Sequence, residues 1–123
     1  MRQKTEPFTG THALANFIDC DNKMSNLSSN DIQRFIESIS ENHGLKVLGG
    51  YYHDFDSKGA LTGVCVLAES HISVHTWPEL NYATVDVFLC NYNKDNTLIV
   101  SELLDEISDF FKAKTVNSKL IKR

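Results

Sequence analysis

The densest run of reactive side chains in this 123-residue chain is Glu69-Ser70-His71-Ile72-Ser73-Val74-His75-Thr76-Trp77-Pro78-Glu79. Two histidines, two carboxylates, two serines and a tryptophan fall within those eleven residues. Three readings compete for them. A zinc site from His71 and His75 would need both rings on one helical face, and no thiolate pair accompanies them. A serine hydrolase would need Ser70 on a GxSxG elbow, which is missing. The third reading is a purely structural strand rich in histidine and serine.

The elements around this segment decide which faces its side chains share. Ile72, Val74 and Thr76 alternate with Ser73, His75 and Trp77, so residues 72–77 read as a strand that Pro78 ends. Residues 61–68 read as a buried strand. In residues 83–90, Val85, Val87 and Leu89 form an apolar face opposite Thr84, Asp86, Phe88 and Cys90. A first strand is expected over residues 12–20 and another over 46–55, weakened by Gly49-Gly50. Residues 56–59 form a turn. Ser28 or Ser29 caps a helix carrying Ile32, Phe35, Ile36 and Ile39, with Gly44 just past its end. Asp95 or Asn96 caps a second, with Ile99, Leu103, Ile107 and Phe110 on one face. Residues 115–121 suit an edge strand. The sum is one α+β domain, a two-layer sandwich of a mainly antiparallel sheet with helices on one face. The other face would carry Thr84, Asp86, Phe88, Cys90, His75 and Trp77, as a site or an interface.

Composition narrows the class. Hydrophobic residues make up 41% and charged residues 23%, with a net charge of −4 and no basic stripe to suggest a nucleic-acid partner. No apolar run reaches membrane-spanning length, and no signal core follows residues 1–7. Cys20, Cys65 and Cys90 are an odd set without a CxxC pair, which suits free thiols in a reducing cytoplasm.

The eleven-residue run resembles the autoprocessing motif of the prokaryotic S-adenosylmethionine decarboxylase proenzymes. Gly10-Thr11-His12, Asp19-Cys20, His53-Asp54-Phe55, Thr62-Gly63 and residues 83–90 resemble further segments of that family. The resemblance implies that Ser70 attacks the Glu69 carbonyl, cuts the chain between Glu69 and Ser70, and becomes a pyruvoyl group. The products would be chains 1–69 and 70–123. It implies His75 as a processing residue, with Thr62 where the family usually has a processing serine, and Cys90 as the catalytic proton donor. The chemistry needs such a group: a departing carboxylate leaves a carbanion, and a carbonyl joined to the substrate amine as a Schiff base drains it. A thiol, whose reference pKa is ~8.5, suits proton return near neutral pH. Phe55 and Trp77 are candidates to stack on a nucleoside-like substrate, and Glu79 to bind its ribose or ammonium group. Asp86 shares the face of Cys90. His12 and His53 match family positions without an assigned role, Cys20 and Cys65 read as core, and His43 sits at a helix end.

Spacing adds an expectation. If one continuous strand ran from Thr62 to Ser70, the two would lie ~26 Å apart. Thr62 could then serve Ser70 only across a homodimer interface, as the resemblance also implies. Three features depart from the family pattern. Lys58-Gly59-Ala60-Leu61-Thr62-Gly63 is one residue longer than usual, Asn16 replaces a common acid, and Asn91 replaces a common glycine. All three bear on substrate recognition. An amino acid such as ornithine or arginine is therefore an alternative substrate, and an unprocessed regulatory paralogue an alternative role.

Overall fold

The computed structural model describes residues 9–92 and 94–123; residues 1–7, read above for a signal core, lie outside them. A six-stranded sheet is formed by β1 (Gly10–Ile18), β2 (Val47–Asp54), β3 (Leu61–Leu67), β4 (Ser70–Trp77), β5 (Tyr82–Cys90) and β6 (Thr115–Lys122). Its order is β2-β3-β4-β5-β1-β6, and each neighbouring pair is antiparallel. Helices α1 (Ser29–Asn42) and α2 (Thr97–Phe111) pack on one side of it.

Periodicity explains the layers. On α1, Ile32, Ile36 and Ile39 are buried; on α2, Val100, Leu103, Ile107 and Phe111 are. They meet the inward series of the strands, including Ala13, Ala15, Phe17, Cys65, Leu67, Ile72, Val74, Val85, Val87 and Leu89. Each large aliphatic side chain buried here contributes about 1.5–3 kcal/mol before entropy is counted. Ser28 closes the start of α1 reciprocally. Its hydroxyl accepts from Asp31 N–H at 3.2 Å, and the Asp31 carboxylate accepts from Ser28 N–H at 2.9 Å. Gly44, at φ +77°, ends that helix in the left-handed region.

Two sequence expectations shift. β1 starts at Gly10 rather than residue 12, because Gly10 pairs with Cys90; it stops at Ile18, where Asp19 turns left-handed at φ +54°. The premise of a continuous strand from Thr62 to Ser70 is also corrected. The chain reverses, Leu67 pairs with Ser70, and Ala68 and Glu69 alone make the turn. In β2 the doubled glycine produces a register shift between Val47 and Gly49 rather than a break.

The second sheet face carries no helix. His12 and Leu14 of β1 lie there, with Thr84, Asp86, Phe88 and Cys90 of β5 and His71, Ser73, His75 and Trp77 of β4. Thr62, Val64 and Val66 of β3 and Tyr51 and His53 of β2 extend it. Tyr51 is 71% exposed, Phe55 65% and Val66 44%, so this face is both apolar and open.

Candidate active site

Ser70 opens β4 immediately after a two-residue hairpin turn. Its hydroxyl accepts a hydrogen bond from Cys90 N–H at 3.0 Å. The candidate cleavage serine and the candidate proton donor are therefore neighbours across β4 and β5. Cys90 is held at every polar atom. Its carbonyl accepts from the Asn96 side chain at 2.8 Å, and its sulfur accepts from Tyr92 N–H at 3.4 Å. Asn91 braces the same corner: its amide donates to Thr11 Oγ1 and its oxygen accepts from Asn96 N–H, each at 2.8 Å. The side chain that replaces the family's usual glycine thus joins β5, β1 and the start of α2. Sequence reasoning did not find the Asn91–Asn96 brace, since two asparagines five apart carry no signal until a loop folds back.

Glu69, on the other side of the expected scissile bond, sits at φ +60°. It occupies the third position of the Leu67–Ser70 turn, which favours glycine. A residue with a Cβ there costs roughly 1–2 kcal/mol. The peptide link between Glu69 and Ser70 is strained on its N-terminal side, and the Ser70 hydroxyl is fixed on the other.

The second group lies elsewhere. Thr62 pairs with His75 across β3 and β4, and Thr62 Oγ1 is 3.0 Å from His75 Nδ1. The threonine that stands in for a serine keeps the hydrogen bond. Five residue steps along β4 take the chain from Ser70 to His75, ~17 Å at the usual rise. Within one chain the Thr62–His75 pair cannot reach Ser70. His71 and His75 are ~13 Å apart along the same strand, too far for one ion, and among the described residues no cluster of three metal-binding side chains occurs.

The recognition candidates gather at the Thr62–His75 end. Trp77 is 39% exposed, and its ring centroid is 6.3 Å from that of His75 and 5.6 Å from that of Tyr82. Phe55 stands edge-on to His53 at 4.8 Å. Glu79 lines a cavity of about 260 Å3 together with Asp56 of the preceding turn and Lys58 and Ala60 of the unusual loop. Thr76, buried on the helix side, anchors that loop by donating to Gly59 O at 2.6 Å and accepting from Leu61 N–H at 2.9 Å. Cys20 and Cys65 are buried as expected, and burial pushes both thiols' pKa up, Cys20 to about 11. His43 pairs with Glu106 at 2.9 Å and Glu102 at 3.5 Å, a contact between helices remote from the site. Asn16, where the family commonly has an acid, pairs with Thr84 and Asn117 on the open face.

Known proteins resemble this chain in sequence and in fold. The family model described as S-adenosylmethionine decarboxylase matches residues 11–123. The chain belongs to the S-adenosylmethionine decarboxylase family. A proenzyme of that name from Acetivibrio thermocellus is 36% identical over 114 residues, covering 93% of this chain and 87% of that protein. One from Methanococcus aeolicus is 34% identical over 114 residues, covering 93% and 92%. The crystal structure of the adenosylmethionine decarboxylase from Aquifex aeolicus superposes with a TM-score of 0.81 at 29% identity, covering 94% of this chain and 91% of that one. The family's sandwich is thus the fold found here, and membership makes the chain a carboxy-lyase by class. Among the described residues, no helix is long and apolar enough to cross a membrane.

Proposed function

We propose that this chain is a self-cleaving decarboxylase that removes the carboxyl group of S-adenosylmethionine. The product would be the aminopropyl donor of spermidine synthesis. The proenzyme names of its relatives and the match over nearly the whole chain support the substrate assignment. Three cysteines without disulfides fit a cytoplasmic setting.

Maturation would take place at the hairpin turn, and the strained Glu69 backbone beside the fixed Ser70 hydroxyl supports this reading. Ser70 Oγ attacks the Glu69 carbonyl carbon, and the amide becomes an ester. Removal of the Ser70 α-proton expels the ester as the Glu69 carboxylate, which keeps the former Oγ. The dehydroalanine left at position 70 takes up water and loses ammonia, giving a pyruvoyl terminus. The site fits that group. Position 70 lies at the sheet rim beside Cys90, and Cys90 N–H, which now holds Oγ, remains there as a donor. When present, the group supplies the electron sink that lets an α-amino acid release carbon dioxide. Cys90 then returns a proton to the α-carbon, with its thiol oriented by Tyr92 N–H. Phe55 and Trp77 offer stacking surfaces for adenine, and Glu79 a carboxylate for ribose hydroxyls.

One observation carries the assembly: the Thr62–His75 pair and the Ser70–Cys90 pair stand at opposite ends of β4. A homodimer reconciles them. Let a two-fold axis lie between two open faces and run across the strands. It reverses strand direction, setting the Ser70 end of one protomer against the Thr62–His75 end of its partner. The exposed Tyr51, Phe55, Val66 and Trp77 would be covered in the same step.

The substrate is tested by measuring carbon dioxide release from S-adenosylmethionine, ornithine and arginine side by side. Release from S-adenosylmethionine alone is expected; activity confined to either amino acid would overturn the assignment. Cys90→Ala separates maturation from turnover. Its chain should still be cut, because Cys90 contributes its backbone N–H to Ser70, while kcat falls about 100-fold or more through loss of the proton donor. A fully active Cys90→Ala protein would remove Cys90 from the mechanism.

A further inference from the structure

His12 is one of the polar side chains near this site that the maturation scheme leaves without a task. It lies on the open face opposite Phe88, and Phe88 in turn faces His71, the residue after Ser70. Cys90 is the diagonal neighbour of His12 across β1 and β5, ~7–8 Å away by sheet geometry. The His12 ring is pinned edge-on to Phe88 at 5.8 Å and to His71 at 5.9 Å. Gly10 permits this packing, since a Cβ there would collide with the Phe88 ring.

The proton on this ring can be placed. Arg123 Nη1 lies 2.9 Å from His12 Nδ1. A guanidinium only donates, so Nδ1 accepts and the neutral ring carries its hydrogen on Nε2. That Nε2 is buried and has no hydrogen-bond partner. A buried donor without an acceptor is costly and uncommon in a native structure. The charged and titratable groups facing the ring are Asp86 from β5, His71 from β4 and Arg123 beyond β6. Burial chiefly holds its pKa below the ordinary histidine value; Arg123 and His71 act in the same direction and Asp86 against it.

We infer that His12, fixed as its Nε2–H tautomer by Arg123, donates to the α-carboxylate of the substrate bound at position 70 and so orients the bond that breaks. The inference rests on the decarboxylase reading above. A neutral donor suits the task better than a cation. Negative charge leaves the carboxylate as carbon dioxide forms, and a full positive charge there would stabilise the ground state more than the transition state. An N–H on a ring wedged between Phe88 and His71 fixes direction without that penalty.

Three variants test it, each first checked for chain cleavage on a denaturing gel. His12→Phe keeps the ring packing but loses the donor. His12→Gln restores an N–H near the same place. Arg123→Gln frees the tautomer. His12→Phe should cleave normally and lose about ten- to hundredfold in kcat/KM for S-adenosylmethionine, the range expected for a hydrogen bond to a charged group. Inhibition by the decarboxylated product, which has no carboxylate, should be nearly unchanged, and His12→Gln should recover most activity. Histidine 15N spectra of the wild-type protein should show His12 protonated at Nε2, with the signal moving toward the exchange-averaged form in Arg123→Gln. Without Arg123's positive charge, His12 takes up a proton more easily, so the acid limb of kcat/KM should move to higher pH. A fully active His12→Phe protein, or equal losses for ligands with and without a carboxylate, would overturn the inference. Wild-type protein that releases no carbon dioxide from S-adenosylmethionine would sink the decarboxylase reading as well. Failure confined to the variants sinks the role of His12 alone.

Discussion

Replacing Ser70 with alanine should leave one uncut chain of 13.9 kDa that releases carbon dioxide at no more than the background rate. The hydroxyl is the sole nucleophile that can convert the Glu69–Ser70 amide into an ester, and no other atom of an alanine can become the ketone. The effect is therefore all or none. Folding should survive it. Ser70 Oγ makes one recorded hydrogen bond, to Cys90 N–H at the sheet rim, so the stability cost should be about 1 kcal/mol. Intact mass is the direct measurement. Wild-type protein should give residues 1–69 and a partner beginning at position 70 without a free amino terminus; the variant should give neither. Cleavage in Ser70→Ala would place the reactive residue elsewhere.

Two dead proteins should rescue one another. Ser70→Ala lacks the proposed nucleophile, and His75→Ala the proposed processing histidine; alone, each should remain uncut. Co-expressed, they should form mixed dimers of the kind proposed above, in which the Ser70 of the His75→Ala chain would face the His75 of the Ser70→Ala chain. One of the two composite sites is then complete. About half of the His75→Ala chains should be cut if mixing is statistical, and no Ser70→Ala chains should be. Distinguishable tags resolve the two on a gel. The expectation comes from the ~17 Å between His75 and Ser70 along one strand, with the Thr62–His75 hydrogen bond tying the pair to the far end. Cleavage of the His75→Ala chain expressed alone would show that the histidine is dispensable. No cleavage in the mixture would show that the sites do not cross between protomers.

The periodic parts of the molecule were legible before any coordinates. Alternation in residues 72–77 and 83–90 gave β4 and β5 and the face shared by His75, Trp77, Asp86 and Cys90. Helical spacing gave both helices, because burial of Ile32, Ile36, Leu103 and Ile107 follows hydrophobic period alone. The hairpin at Ala68-Glu69 was harder to read. Its turn contains neither glycine nor asparagine, and its left-handed residue is a glutamate. The family resemblance suggested Ser70, His75, Thr62 and Cys90, and a dimer that sets Thr62 and His75 against the partner's Ser70 was expected, though from a continuous strand that the hairpin replaces. The division into two pairs depends on antiparallel register, which sets Thr62 against His75 and leaves Ser70 at the other end. His12 was visible as a residue and invisible as a donor, since its tautomer depends on Arg123, 111 positions away.

The sheet order has a consequence for what a severed backbone can do. Residues before the 69/70 junction supply β1, β2 and β3; those after it supply β4, β5 and β6. They do not divide into left and right halves, because β1 lies between β5 and β6. Each piece is threaded through the other, and pulling them apart would mean unzipping three ladders rather than one. A cut at the two-residue turn before Ser70 would therefore leave two pieces that need no covalent tie to stay together.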